Sequence, residues 1–143
     1  MSQDYDPKKD YSSKASKIIL IDFDGVLSDY SQGWRGEETF GEPLEEGVKL
    51  LQELWTRGFK PSLYTTRLGG ENVLGSRSKV DIERVSTALF SWCNRHGIVD
   101  YIHDVLPFKP MAHLHIDDRA IQFKGLCDET LTEVKRFKPW WEV

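Results

Sequence analysis

Apolar residues along this chain fall into short runs and helical stripes that alternate in order. Residues 1–16 carry Lys8-Lys9-Asp10 and a Ser/Lys cluster with no periodic apolar face, and they read as a flexible N-terminal tail. Lys17–Asp22, built on Ile18-Ile19-Leu20-Ile21, is too short for a helix and suits a strand buried on both faces. Residues 28–42 are polar and contain Gly33, Gly36 and Gly41, which predicts a loop or small flap. Pro43 stands where a helix can open, and Leu44, Val48, Leu51, Leu54 and Trp55 recur at helical spacing until Gly58 stops them. Ser62–Thr65 predicts a second strand. The Gly-containing stretch Leu68–Arg77 separates it from a second helix, where Ser78 and Asp81 make a capping pattern. Ile82, Val85, Leu89, Trp92 and Cys93 form that helix's stripe, and Gly97 ends it. Tyr101–Leu106 and Ala112–Ile116 read as strands, Ile121–Phe123 as a short fifth, and Thr130–Phe137 as a last helix before Pro139-Trp140-Trp141. Both Trp55 and Trp92 belong to the core on this pattern.

Strand, helix, strand, helix, strand is the order of an α/β chain. Such alternation implies right-handed crossovers and a Rossmann-like parallel sheet in three layers, with helices on both faces. With 143 residues, 17–143 form a single domain that can bury roughly two thirds of its unfolded surface without staples. Two cysteines, Cys93 and Cys127, make no disulfide framework and no paired metal motif. No apolar run approaches the length of a membrane span or signal core, so the expected partners exclude a membrane and the expected compartment is the cytoplasm. The net charge of −4 argues against a general nucleic-acid coat. It leaves room for a local phosphate site, because a bound metal ion inverts the electrostatics around it.

Ligands of open parallel sheets bind beyond the carboxyl ends of the strands, so the residues just past each strand matter most. Those residues are Asp22-Phe23-Asp24-Gly25, then Thr65-Thr66-Arg67, then Lys109, then Asp117-Asp118-Arg119. Carboxylates from two strands form a hard-oxygen site for Mg2+, which takes a couple of carboxylates along with phosphate and water. Asp22 beside the ion could attack phosphorus, while Asp24 protonates the leaving oxygen and later activates water. A hydroxyl from Thr65 or Thr66 and the Lys109 ammonium would hold the remaining phosphoryl oxygens. Arg67 and Arg119 either bind substrate phosphate or pair with the acids.

DFDGV at 22–26, the Thr of LYTTR at 63–67, Lys109 and IDDRA at 116–120 resemble the four signature motifs of the haloacid-dehalogenase-like (HAD) phosphatase superfamily. The resemblance runs in order from about Lys17 to Phe123. It implies that Asp22 is the nucleophile and Asp24 the acid/base, with Thr65, in preference to Thr66, and Lys109 on the transferring phosphoryl group. It also implies that Asp117 ligates Mg2+ with Asp118 beside or behind it, and that the ion takes Asp22 and the Asp24 backbone carbonyl. Residues 28–64 and 68–108 are mostly consumed by a crossover helix and a strand each, which implies a member with no separate cap domain. The segment KPMAHLHIDDRAI at 109–121 is similar to small bacterial and phage HAD-type hydrolases.

The expected activity is therefore Mg2+-dependent hydrolysis of a phosphomonoester, either a small phosphorylated molecule or a nucleic-acid 3′ end. Trp34, in the polar loop after the nucleophile, either stacks on a flat leaving group or pins that loop to the core. The stretch Leu68–Arg77 reads as a mobile lid or a plain connection. Trp140 and Trp141 either cover a sheet edge or contribute to a homodimer.

Overall fold

A computed structural model describes residues 17–69, 79–107, 109–110 and 112–138. The tail 1–16, most of the Leu68–Arg77 stretch, Ser78 and the Pro139–Trp141 segment lie outside the described residues. Among these residues four strands and three α-helices follow in the order β1 (Ile18–Asp22), α1 (Glu45–Thr56), β2 (Lys60–Tyr64), α2 (Lys79–Arg95), β3 (Asp104–Leu106), β4 (Leu114–Ile116) and α3 (Cys127–Arg136), with β3 and β4 consecutive. The sheet is wholly parallel in the order β3-β2-β1-β4. The chain is therefore α/β with a Rossmann-like sheet. From β1 it steps twice to one side and then crosses back to the other, which leaves a switch point between β1 and β4.

The core forms where the predicted stripes meet the sheet. Ile19, Ile21 and Leu63 pack with Leu51 of α1 and with Val85, Leu89, Trp92 and Cys93 of α2. Leu20 and Ser62 are buried on the alternate side, so the middle of β1 is covered on both faces. Burial pushes the Cys93 thiol up to about 12, and Cys93 is an inert core residue.

Several boundaries differ from the sequence reading, each for a local reason. Pro43 does not open α1. Its neighbour Leu44 donates its N–H to the Leu27 carbonyl (2.8 Å), is held extended, and becomes the N-cap, so helix begins at Glu45. At the other end Gly58 (φ +89°) closes α1, with Gly58 N–H on the Trp55 carbonyl and Phe59 N–H on the Leu54 carbonyl. That closure turns Phe59 toward the core and leaves Trp55 outside at 41% exposure, which corrects its assignment to the core. β2 starts at Lys60, earlier than Ser62, because Pro61 needs no donor there: its carbonyl accepts from His103 N–H (2.7 Å). Val99–Tyr101 is a 3-10 turn that delays β3 to Asp104. Residues 121–123 form no strand, and Phe123 is 68% exposed; β4 is the last strand on its side among the described residues. α3 begins at Cys127, three residues before the predicted Thr130, and buries none of its residues. No helix among the described residues is long and apolar enough to cross a membrane.

The contrast between the two α1 positions is testable by chemical denaturation. Leu51 is fully buried, so Leu51→Ala should cost about 2–5 kcal/mol through lost contacts and a residual cavity. Trp55→Ala should cost less than about 1 kcal/mol, as expected of a surface position.

Candidate functional site

The site grows from a turn at the end of β1. Asp22 is the last strand residue, paired in register with Tyr64 of β2. Phe23 follows, fully buried, with its ring edge-on to Phe40 (5.5 Å between centroids) and Trp92 (5.0 Å). Its carbonyl accepts from the N–H groups of Leu27 (3.0 Å) and Ser28 (3.1 Å), which bends the backbone sharply. An apolar anchor thus sits between two acids and holds both at the sheet edge.

Across the switch point, Ile116 of β4 pairs with Ile21, so Asp117 leaves the sheet beside Asp22. Oxygens of Asp22, Asp117 and Asp118 all lie within 4.8 Å of one another. Asp118 turns back under Gly25, whose φ of +86° and missing side chain make the room; a Cβ there would overlap the Asp118 carboxylate. The Asp118 side chain is 4% exposed, and neither oxygen receives a hydrogen bond among the described residues. Arg119 Nε stands 3.9 Å from it, half in solvent, while the Arg119 backbone N–H caps Asp117 Oδ1 (2.9 Å).

Burial raises the Asp22 carboxyl to about 8, helped by the charges of Asp117, Asp118 and Asp24. Burial likewise raises Asp118, with Asp117 adding to the rise and Asp22 and Arg119 opposing it. Carboxylates facing one another offer only lone pairs, so such a cluster needs a shared proton or a cation. The orphaned oxygens of Asp118 and the all-oxygen donor set fit a hard divalent ion such as Mg2+.

Asp24 departs from that cluster. Its two oxygens accept from Arg67, Nε to Oδ2 at 2.8 Å and Nη2 to Oδ1 at 2.9 Å. Its side chain is therefore a partner of Arg67 and is not among the three carboxylates that lie within 4.8 Å of one another, although its charge still reaches Asp22. Arg67 is 2% exposed and engaged with protein groups, so pairing with an acid, one of its two expected roles, is what the structure displays. Thr65 is buried and caps a 3-10 turn at Thr66–Leu68, its Oγ1 accepting from Arg67 N–H (3.1 Å). That bond uses a lone pair and leaves the Thr65 hydroxyl proton available to donate. Thr66 is exposed on the same turn. Lys109 is brought over the end of β2, its Nζ 5.4 Å from the centre of the Tyr64 ring. Trp34 is 52% exposed and covers the Arg67 guanidinium (4.8 Å), so it pins the flap through Arg67 while keeping much of its surface in water.

The Gly25–Asp118 contact and the contacts of Arg67 with the flap were not foreseen in the sequence, whereas pairing of Arg67 with an acid was one of its two expected roles. The first had a usable signal, since a glycine after two spaced acids leaves space where a side chain would otherwise intrude. Comparison with known proteins finds no family model that matches the chain, and no match among curated proteins or solved structures.

The acid cluster makes stability depend on pH with a definite sign. A carboxyl at about 8 in the fold and near 3.8 when unfolded holds its proton longer in the native state. Metal-free stability should then fall as pH rises from about 4 to about 8. Excess Mg2+ should raise the Tm more at pH 8 than at pH 5, because less proton has to be displaced. Thermal melts with EDTA or Mg2+ at both pH values check this, and equal Mg2+ shifts would contradict it.

Proposed function

We propose that this chain is a Mg2+-dependent phosphomonoester hydrolase with a HAD-like, three-layer architecture and no cap domain, working through an aspartyl-phosphate on Asp22. The observation that carries the reading is the three-carboxylate cluster at the β1/β4 switch point, with the buried and unsatisfied Asp118 beneath it. When bound, a divalent ion would be held by Asp22, Asp117 and Asp118 and would neutralise charge on the phosphoryl oxygens.

The chain's own residues supply the rest. A carboxylate oxygen of Asp22 attacks phosphorus as the bond to the leaving oxygen breaks, and Asp24 gives that oxygen a proton. Water then attacks the same phosphorus and gives one proton to Asp24, which restores its acid form, while the bond from phosphorus to Asp22 breaks and inorganic phosphate leaves. Thr65 donates its hydroxyl proton to a phosphoryl oxygen, and Lys109 offers an ammonium at the same edge. A nucleotidase or polynucleotide 3′-phosphatase of this mechanism is the narrower alternative. The half-exposed Trp34, one Arg67 away from Asp24, favours a flat leaving group of that kind. A non-catalytic phosphate-binding module is the remaining rival.

A panel of nucleoside monophosphates, 3′-phosphorylated oligonucleotides and sugar phosphates, assayed with Mg2+, separates these readings. Turnover should vanish in EDTA and return with Mg2+. Asp22→Asn should abolish it together with the covalent intermediate, detectable by mass spectrometry after acid quench. Phosphate binding without turnover of any panel member would instead support the binding module.

A further inference from the structure

Arg67 reaches farther than a simple ion pair requires. Its Nε and Nη2 grip both oxygens of Asp24, in the parallel fork geometry that fixes orientation as well as charge. Its Nη1 donates to the carbonyls of Gly36 (2.8 Å) and Glu37 (2.9 Å) in the flap. The guanidinium carbon lies 4.8 Å from the ring centres of both Trp34 and Phe40. Phe40 leans in turn on Phe23 and Trp92, and the Trp92 indole N–H donates to the Gly41 carbonyl (3.0 Å). One buried side chain therefore joins Asp24, the end of β2 and the flap 34–40.

We propose that Arg67 is a positioning residue that aims Asp24 at the leaving oxygen and makes that aim depend on the seating of the 34–40 flap. The inference rests on the hydrolase reading above, in which Asp24 is the proton donor. Both Asp24 oxygens are engaged with Arg67, so the carboxylate cannot rotate unless the guanidinium shifts. The guanidinium cannot shift without leaving two flap carbonyls and two aromatic faces. Movement of the flap when a substrate enters thus re-aims Asp24. Lysine cannot replace Arg67 here, because an ammonium is a single point without the planar fork.

Two measurements test the coupling. In the first, backbone hydrogen exchange across residues 34–40 is compared in wild type, Arg67→Lys and Asp24→Asn. Exchange should rise in both variants, and an unchanged flap in Asp24→Asn would overturn the link between Asp24 and the flap. In the second, turnover of an alkyl phosphate (poor leaving group) and p-nitrophenyl phosphate (good leaving group) is measured with Mg2+. Arg67→Lys should lower kcat on the alkyl ester by about 10²-fold, the scale of lost acid/base help, with a much smaller loss on the aryl ester and little change in KM. In an Asp24→Asn background the same substitution should cost nothing further on the alkyl ester. Equal losses on both esters, or a loss that adds to Asp24→Asn, would make Arg67 a structural or phosphate-binding residue and overturn the proposal. Trp34→Leu, at an exposed position, covers the case in which Arg67→Lys does not fold. It should lower alkyl turnover in the same direction, and wild-type alkyl turnover would overturn the coupling. The controls keep the two levels apart. Activity surviving in Asp22→Asn defeats the hydrolase reading itself, whereas a leaving-group effect in Asp24→Asn but not in Arg67→Lys defeats only the role of Arg67.

Discussion

Mutual repulsion among Asp22, Asp117 and Asp118 is the constraint around which the carboxyl edge of the sheet is arranged. Unit charges about 4 Å apart near a protein surface repel by roughly 4 kcal/mol, so three ionised carboxylates at that range do not persist unaided. The chain nonetheless brings them together firmly. β1 and β4 are hydrogen-bonded neighbours, Phe23 is locked into the core, and Gly25 leaves the space that Asp118 fills. Half-buried as they are, the three carboxylates need a species that balances their charge: a proton on Asp22 when metal-free or, under the proposed function, a divalent cation.

Much of this was legible in the sequence because it depends on local rules. An apolar run followed by acids marks a strand end, and parallel topology gathers strand ends at one edge. Asp22, Asp24, Asp117, Thr65 and Lys109 were assigned to that edge in this way. The stripe of α2 was equally plain, since Val85, Leu89, Trp92 and Cys93 face the sheet at helical spacing. Positions decided by chain closure were not legible. Trp55 continues the α1 stripe in sequence, yet the Gly58 turn substitutes Phe59 at the core and leaves Trp55 in solvent. Ile121–Phe123 has strand character but no neighbour with which to pair.

Arg67 shows the same limit at the site. From spacing alone, an arginine two residues past the strand-two threonine has two partners open to it, substrate phosphate or the group of acids. Only the path of the flap decides between them. With Gly36, Glu37, Trp34 and Phe40 gathered around the guanidinium, an Arg at 2% exposure is held on four sides by protein. The loop that the sequence marked merely as polar thereby determines the orientation of a candidate catalytic acid.

Charge at the edge of the sheet then narrows what the site can bind. Arg67 neutralises Asp24 directly, and Arg119 stands 3.9 Å from Asp118 with most of its field screened by water. Lys109, lodged over Tyr64, is the other cation that the sequence reading assigned to this edge. Asp22, Asp117 and Asp118 outweigh these residual positive charges, so the protein alone offers a poor landing place for a phosphate dianion. Under the proposed function, a divalent ion held by Asp22, Asp117 and Asp118 would reverse that balance and would give the orphaned Asp118 oxygens a partner. Such an ion would also favour the ionised form of Asp22, which the proposed mechanism needs as its nucleophile. On that reading, substrate attraction and nucleophile activation would both follow from a single binding event, which is how an acidic protein would receive an acidic ligand.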